Sequence, residues 1–132
     1  MTTTADPAGA DPTAGLNLVV VRGRLSSDPT DRTLPSGDVV WNYEVTVRPP
    51  EGRAESIPVV LGRGAPPRGL SAGDEVLVLG RVRRRFFRSG GRTASRTEVV
   101  ADRIVRATRT AAVRSGLSDA VRVLAEHDGP TD

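Results

Sequence analysis

The feature that most constrains the fold is a series of short apolar segments, each bounded by turn-forming residues rich in Gly and Pro. In the clearest of them, apolar residues occupy every second position: Val39, Trp41, Tyr43, Val45 and Val47. A period of two places these side chains on one face of a β-strand. The same reading predicts strands at 16–25, 39–48, 57–61, 76–87 and about 96–105.

The number and spacing of these strands favour an all-β barrel. Gly23 predicts a bend or bulge in the first strand, and the fourth strand is so long that it must coil. A five-stranded OB-fold, a Greek-key barrel, accommodates both features and is the fold class that we predict, with an α-helix after it. The chain would then comprise a flexible N-terminal arm (1–15), the barrel domain (16–107), an amphipathic helix (108–127) and a disordered end (128–132).

The predicted helix carries one apolar stripe. Its members recur at helical spacing: Val113, Leu117, Val121 and Leu124. Two interpretations are open, since the stripe could pack against the open end of its own barrel or could form an interface with another subunit or protein.

Composition excludes several classes of function. The chain has no Cys and a single His, so disulfides, thiolate chemistry and a multi-histidine zinc site are excluded. It contains neither a nucleophile–base pair nor a phosphate-binding loop, and we therefore expect no catalytic residues, no metal and no cofactor. No apolar run approaches the roughly 20 residues that cross a bilayer, and no export signal is present, which predicts a cytoplasmic, nucleoid-associated protein.

The distribution of charge favours a polyanionic partner, the alternative being a solvated arginine-rich surface. The 19 basic residues are all Arg, the net charge is +3, and the excess of base lies in the middle of the chain. Seven of these arginines fall between Gly80 and Arg96, a stretch that contains no acid.

Strand parity sorts the side chains of this basic stretch. One face carries Arg81, Arg83, Arg85 and Phe87, and the opposite face, with Val82, Arg84 and Phe86, is expected to point inward. Guanidinium groups beside an aromatic ring suit single-stranded nucleic acid, because cations follow the phosphates while flat rings stack on the bases. The alternative is a solvated hairpin.

Trp41 and Tyr43 are the remaining aromatic residues. Both lie on the apolar face of their strand, which predicts that Tyr43 belongs to the core, whereas Trp41 could be either core or a stacking platform at the rim. The opposite face presents Asn42, Glu44 and Thr46, which could line a polar groove.

Several motifs occur together in a characteristic order over residues 16–106. They are Leu18–Leu25 with Asp28-Pro29, Pro35-Ser36-Gly37, Asn42-Tyr43, Pro58–Arg63, Gly73–Arg83 and Thr97–Asp102. This ordered set resembles the bacterial single-stranded DNA-binding protein family.

The resemblance implies an OB-fold that binds single-stranded DNA with little sequence preference in replication, repair or recombination, commonly as a homo-oligomer, dimer or tetramer. RNA is a possible ligand too, and no membrane is involved. Phe87 stands at a position where the family stacks a base. With the basic residues, the predicted DNA contacts are Arg22, Arg24, Trp41, Arg81, Arg83, Arg85, Phe87, Arg88, Arg92 and Arg96.

The chain departs from the family in several places. Ser56 or Ile57 stands where the family has a Trp, Gly62 where it has an aromatic residue, and Pro66-Pro67 where it has a short helix. The family's acidic C-terminal tip is missing, so we expect no recruitment of repair proteins through it and interpret the chain as a divergent or paralogous, actinobacterial-like member. The alternative function is an OB-fold protein-interaction module with weak or vestigial nucleic-acid binding.

Overall fold

The computed structural model describes residues 15–62 and 66–127. This part of the chain forms six strands and a helix: β1 (Val19–Leu25), β2 (Thr30–Thr33), β3 (Val39–Val47), β4 (Glu55–Leu61), β5 (Glu75–Ser89), β6 (Arg92–Arg106) and α1 (Thr110–His127). The protein is therefore mostly β-sheet with a C-terminal helix, as the sequence predicts.

All the strands belong to one curled, barrel-like sheet. Their order is β1-β5-β6-β4-β3-β2, and β1 additionally pairs with β3. The β4–β6 pair is parallel, and the other pairs are antiparallel. Strand β1 therefore has two neighbours. It pairs along most of its length with β5 and, at Arg24 and Leu25, with β3.

Gly23 makes this double pairing of β1 possible. A Cβ atom at this position would overlap the backbone carbonyl oxygen of Thr46 and would lie 3.0 Å from Cγ1 of Val45. Only a residue without a side chain lets β1 approach β3 so closely. The bend predicted at Gly23 thus corresponds to the place where β1 passes from one neighbour to the other.

The concave side of the sheet, called the inner face here, encloses the main core. Its buried members come from five strands and include Leu25, Tyr43, Val45, Val59, Val76, Val78 and Val99. The placement of Tyr43 in the core confirms the prediction from strand parity.

Helix α1 covers part of the other, outer face of the sheet. Its buried residues are Val113, Gly116 and Ala120, which pack with Leu77 and Leu79 of β5. A Cβ atom on Gly116 would lie 2.8 Å from Cδ1 of Leu79, so the missing side chain allows a close helix–strand contact.

Only part of the predicted apolar stripe of the helix therefore packs against the sheet. Val113 is buried, but Leu117, Val121 and Leu124 are 41%, 63% and 49% exposed. The small residues Gly116 and Ala120 form the contact instead, because they let the helix axis approach the sheet. Sequence periodicity weights the larger apolar residues; it places Ala120 only beside the stripe and gives Gly116 no role in packing.

The strand count and the start of the helix also differ from prediction. The structure has six strands rather than five, because the exposed, polar segment β2 pairs with the edge of β3 without any apolar alternation. The helix begins at Thr110 rather than at 108. Apart from Gly15, the predicted arm (1–15) and the predicted disordered end (128–132) lie outside the described residues. Within those residues, no helix is long and apolar enough to span a membrane.

Candidate nucleic-acid interface

Residues 81–89 of β5 and 92–100 of β6 form a long hairpin, most of which extends beyond the core. The register shifts between Leu79 and Gly80, which leaves Asp102 as an extra residue on β6. Strand β1 accompanies β5 only as far as Gly80, and the side chain of Asn17 then brackets Val82 by accepting from its N–H (2.9 Å) and donating to its carbonyl oxygen (2.8 Å). Beyond this point β6 is the only described strand that pairs with β5.

A groove of about 510 Å³ runs across the outer face of β3, β4 and β6 between β2 and the base of this hairpin. It is lined by Arg32, Leu34, Val40, Asn42, Val60, Gly62, Arg83, Arg85, Arg96, Glu98 and Val100. Four guanidinium groups against one carboxylate give the lining a net positive charge, while Val40, Val60 and Val100 provide an apolar floor. Asn42 lines it, as strand parity predicts for that face.

Glu98 is the carboxylate in this groove, and it is almost completely buried, with its residue 3% exposed. It stands directly opposite Arg83 in the antiparallel register and accepts a hydrogen bond from Nη2 of that residue. Nε of Arg85 lies 3.5 Å from the same carboxylate oxygen, Oε2. A buried carboxylate of this kind requires cationic partners, so Glu98 holds two of the groove's guanidinium groups on one side.

Arg96 is held from the opposite side of the groove. Its Nη2 donates to Oε2 of Glu44 at 3.2 Å, and Oγ of Ser56 donates to the other oxygen of that carboxylate at 2.9 Å. The contacts join three strands, since Glu44 belongs to β3 and Ser56 to β4.

Phe87 lies next to these arginines on the same face of β5. The guanidinium carbon of Arg85 is 5.1 Å from the centroid of the Phe87 ring, which is a cation–π distance. The pair therefore presents a charged plane and an aromatic ring side by side, as the parity argument predicts for that face.

The remaining predicted contact residues are dispersed. Nη1 of Arg81 lies 3.6 Å from Oδ1 of Asp102, and Arg88 and Arg92 occupy the exposed hairpin end. Arg22 donates to Oε2 of Glu75 at 3.0 Å, and Arg24 donates to the carbonyl oxygen of Gly73 at 3.1 Å. These last two side chains are therefore held at the beginning of β5, away from the hairpin.

Trp41 lies on the inner face and not in the arginine groove. It is half-buried against the core and lines a second cavity of about 520 Å³ together with Tyr43, Pro66, Pro67 and Leu70. The hydroxyl of Tyr43 is buried and has no hydrogen-bond partner among the described residues. Burial raises the pKa of Tyr43 to about 12.

Two residues that line the groove escaped the sequence reasoning. Arg32 lies on β2, which carries no strand pattern, and Glu98 lies just outside the acid-free stretch of the sequence. The pairing of β5 with β6 places Glu98 beside the arginines of that stretch. A segment that has no acid in the sequence can therefore still have an acidic neighbour in the structure. Antiparallel register around the Ser89–Gly90–Gly91 turn is the signal that could have found it.

Val82 and Phe86 share the face of β5 that carries Val76 and Val78, but the expectation that they are buried is wrong. Val82 is 43% exposed and Phe86 is 65% exposed. The inner face is covered only where β1 and β4 close over it, and this hairpin extends past that cover.

Within residues 15–62 and 66–127, no group of three or more His, Asp or Glu side chains lies close enough to hold a metal ion. No protein-family model matches the chain, and no curated protein matches it at a significant level.

Proposed function

We propose that this protein binds single-stranded DNA through an OB-fold, without catalysis and with little sequence preference, in replication, repair or recombination. The order of strand pairs supports the fold. From β1 the pairing passes to β3, β4, β6 and β5 and returns to β1, with β4 and β6 parallel. That is the order of a five-stranded Greek-key barrel in which β2 is an addition at the edge.

The observation that carries the functional proposal is the arginine groove. Its charge attracts phosphates, and its apolar floor and the neighbouring Arg85–Phe87 pair offer flat surfaces to unstacked bases. The groove contains few donors and acceptors fixed for base edges, so binding through it would depend on charge and stacking rather than on sequence.

Binding of fluorescently labelled oligo-dT at several salt concentrations tests the proposal. The logarithm of the association constant should fall against the logarithm of salt concentration with a slope of about −0.7 per phosphate neutralised. An Arg83→Ala/Arg85→Ala/Phe87→Ala variant should lose ~100-fold in affinity, since one base stack contributes ~1–3 kcal/mol and two cations are removed as well.

Arg122→Ala is the matched control, because it removes an arginine that is paired with Asp119 on α1 and does not line the groove. Its affinity should stay within about twofold of the wild type, since its charge is already paired. Equal binding by the triple variant and the wild type would reject the groove as the site. A competition between oligo-dT and oligo-rU of the same length decides between DNA and RNA.

A second candidate is an interaction module that binds protein or self-associates as a dimer or tetramer. It is favoured by one observation, the exposed apolar stripe of Leu117, Val121 and Leu124 on α1. A Leu117→Ser/Val121→Ser/Leu124→Ser variant keeps the buried helix contacts, and light scattering should show a smaller mass than for the wild type. An identical mass would remove α1 from the self-association interface.

A further inference from the structure

The second face of the β5–β6 hairpin has fewer arginines than the groove side, but it carries no acid and is more open. It carries Arg84, Phe86 and Arg88 on β5, and their directly paired residues on β6 are Thr97, Ser95 and Thr93. All six residues are exposed. We call this set the open hairpin face.

The two faces of the hairpin differ in how their arginines are paired. On the groove side, Arg83 and Arg85 share the buried carboxylate of Glu98. On the open hairpin face the paired residues are hydroxyl-bearing, and among the described residues neither Arg84 nor Arg88 forms an ion pair. Arg88 makes a 3.4 Å hydrogen bond to the carbonyl oxygen of Gly91 in the turn, which leaves its charge uncompensated.

Phe86 lies between these two cations. Its residue is 65% exposed, the highest value among the large apolar residues of the described part of the chain. The Phe87 ring is partly covered by the Arg85 guanidinium, whereas the Phe86 ring is open to solvent. An aromatic ring between two unpaired cations matches a ligand that has flat apolar rings joined by negative charges.

We infer that the open hairpin face is a second contact site for the same single strand of DNA, with Phe86 stacking on a base and with Arg84 and Arg88 on the flanking phosphates. This inference rests on the proposed function and adds to it the path that the DNA takes along the protein. Because the groove and the open hairpin face lie on opposite sides of the hairpin, a strand must pass around the hairpin to reach both. Only a ligand longer than the groove can therefore occupy both sites at once.

Oligonucleotides of two lengths test the inference. A single OB-fold accommodates about 4–16 nucleotides, so oligo-dT of about 6 nucleotides reports on the groove and oligo-dT of about 30 on both sites. The Arg84→Ala/Phe86→Ala/Arg88→Ala variant should bind the long oligonucleotide ~10–100-fold more weakly and the short one as the wild type does. The slope against salt for the long oligonucleotide should become less negative by about 1.4, for two phosphates at 0.7 each.

A spectroscopic variant provides a second, direct measurement. Phe86→Trp should show strong fluorescence quenching on addition of the long oligonucleotide, beyond the change shown by Trp41 in the wild type. Circular dichroism melting of every variant controls for folding, which should be retained because the substituted side chains are exposed.

The outcomes separate this inference from the proposed function. Failure of the wild type to bind either oligonucleotide rejects the proposed function. Wild-type binding of both lengths with no effect of the triple variant rejects the second site alone, and equal losses for both lengths also reject a separate site. A lower mass of the variant by light scattering, with unchanged DNA affinity, assigns the face to a second copy of the chain and overturns the inference.

Discussion

The two halves of β5 place the same strand in opposite environments. From Glu75 to Gly80 the strand runs between β1 and β6, with Val76 and Val78 in the main core and Leu77 and Leu79 beneath α1. From Arg81 to Ser89 it pairs, among the described strands, with β6 alone and is largely exposed. One half builds the fold, and the other carries the side chains for which we propose contacts with DNA.

The difference between the halves comes from the layers that cover them. Strand alternation continues unbroken through Gly80, but the cover does not, because the core contacts of β5 end at Val78 and its contacts with α1 end at Leu79. Pairing with β1 ends at Gly80 as well. Where both faces are covered, both must be apolar. Where neither is covered, arginine and phenylalanine carry no burial requirement and are available for binding.

Gly80 marks the boundary between the halves, and its substitution should have the largest effect. A Cβ atom there would overlap the backbone carbonyl oxygen of Val100 and would lie 2.9 Å from Cα of Ala101. Backbone atoms cannot move aside as a flexible side chain can, so Gly80→Ala should lower the free energy of unfolding by about 3 kcal/mol. Chemical denaturation measures the change.

Two controls sharpen this test. Gly62→Ala adds the same methyl group where no atom of the described residues lies within 4 Å, and Arg84→Ala changes an exposed residue in the second half of β5. Each should alter the free energy of unfolding by less than about 0.5 kcal/mol. A comparable loss for Arg84→Ala would mean that the outer half of the strand also stabilises the fold, and the contrast between the halves would fail.

The second prediction concerns Glu98, the acid that enters the basic half from β6. Glu98→Gln keeps the shape of the side chain and removes its charge, which frees Arg83 and Arg85 for phosphate. Affinity for oligo-dT should rise several-fold, about 1 kcal/mol, and the salt slope should become more negative by about 0.7 for each phosphate gained. A fluorescence titration against salt measures both quantities.

Asp102→Asn is the matched control for this change in charge. It removes one carboxylate from the 3.6 Å pair with Arg81, in which the Asp102 side chain is 70% exposed. Solvent already screens that pair, so the rise in affinity should be smaller than for Glu98→Gln. If Glu98→Gln instead binds more weakly while remaining folded, then Glu98 acts by holding the two guanidinium groups in their binding geometry.

Much of the fold could be predicted from the sequence, since periodicity alone locates five strands and places Tyr43 in the core. It could not find β2, because Thr30–Thr33 has no apolar face and owes its conformation to pairing with β3. It also misjudged α1, since the small residues Gly116 and Ala120 carry little hydrophobic signal although they determine how closely the helix packs.

Less of the candidate site could be predicted, for a geometric reason. Parity correctly grouped Arg83, Arg85 and Phe87, but parity cannot say where the cover of a sheet ends. Phe86 was therefore expected to be buried, and it is exposed. Charge counted along the chain likewise missed Glu98, because antiparallel pairing brings a residue from beyond the turn against Arg83.

The smallest expected effect is a loss of stability at low pH. It involves Asp74 and Glu75, at the beginning of the structural half of β5. A hydrogen bond from Arg22 lowers the pKa of Glu75, and a backbone hydrogen bond from Ser71, assisted by Arg106, lowers the pKa of Asp74. Groups with a lowered folded-state pKa stabilise the protein fully above their unfolded values of about 4. That contribution is lost as pH falls through the folded values.

Unfolding measured between pH 7 and pH 3 should show the consequence. The Asp74→Asn/Glu75→Gln variant should be less stable than the wild type at pH 7, and the two should converge towards pH 3, because only the wild type has these two carboxylates to protonate. Curves that stay parallel would mean that the contacts of Asp74 and Glu75 do not depend on charge. Convergence would instead show that ion pairs in the structural half of β5 stabilise the fold.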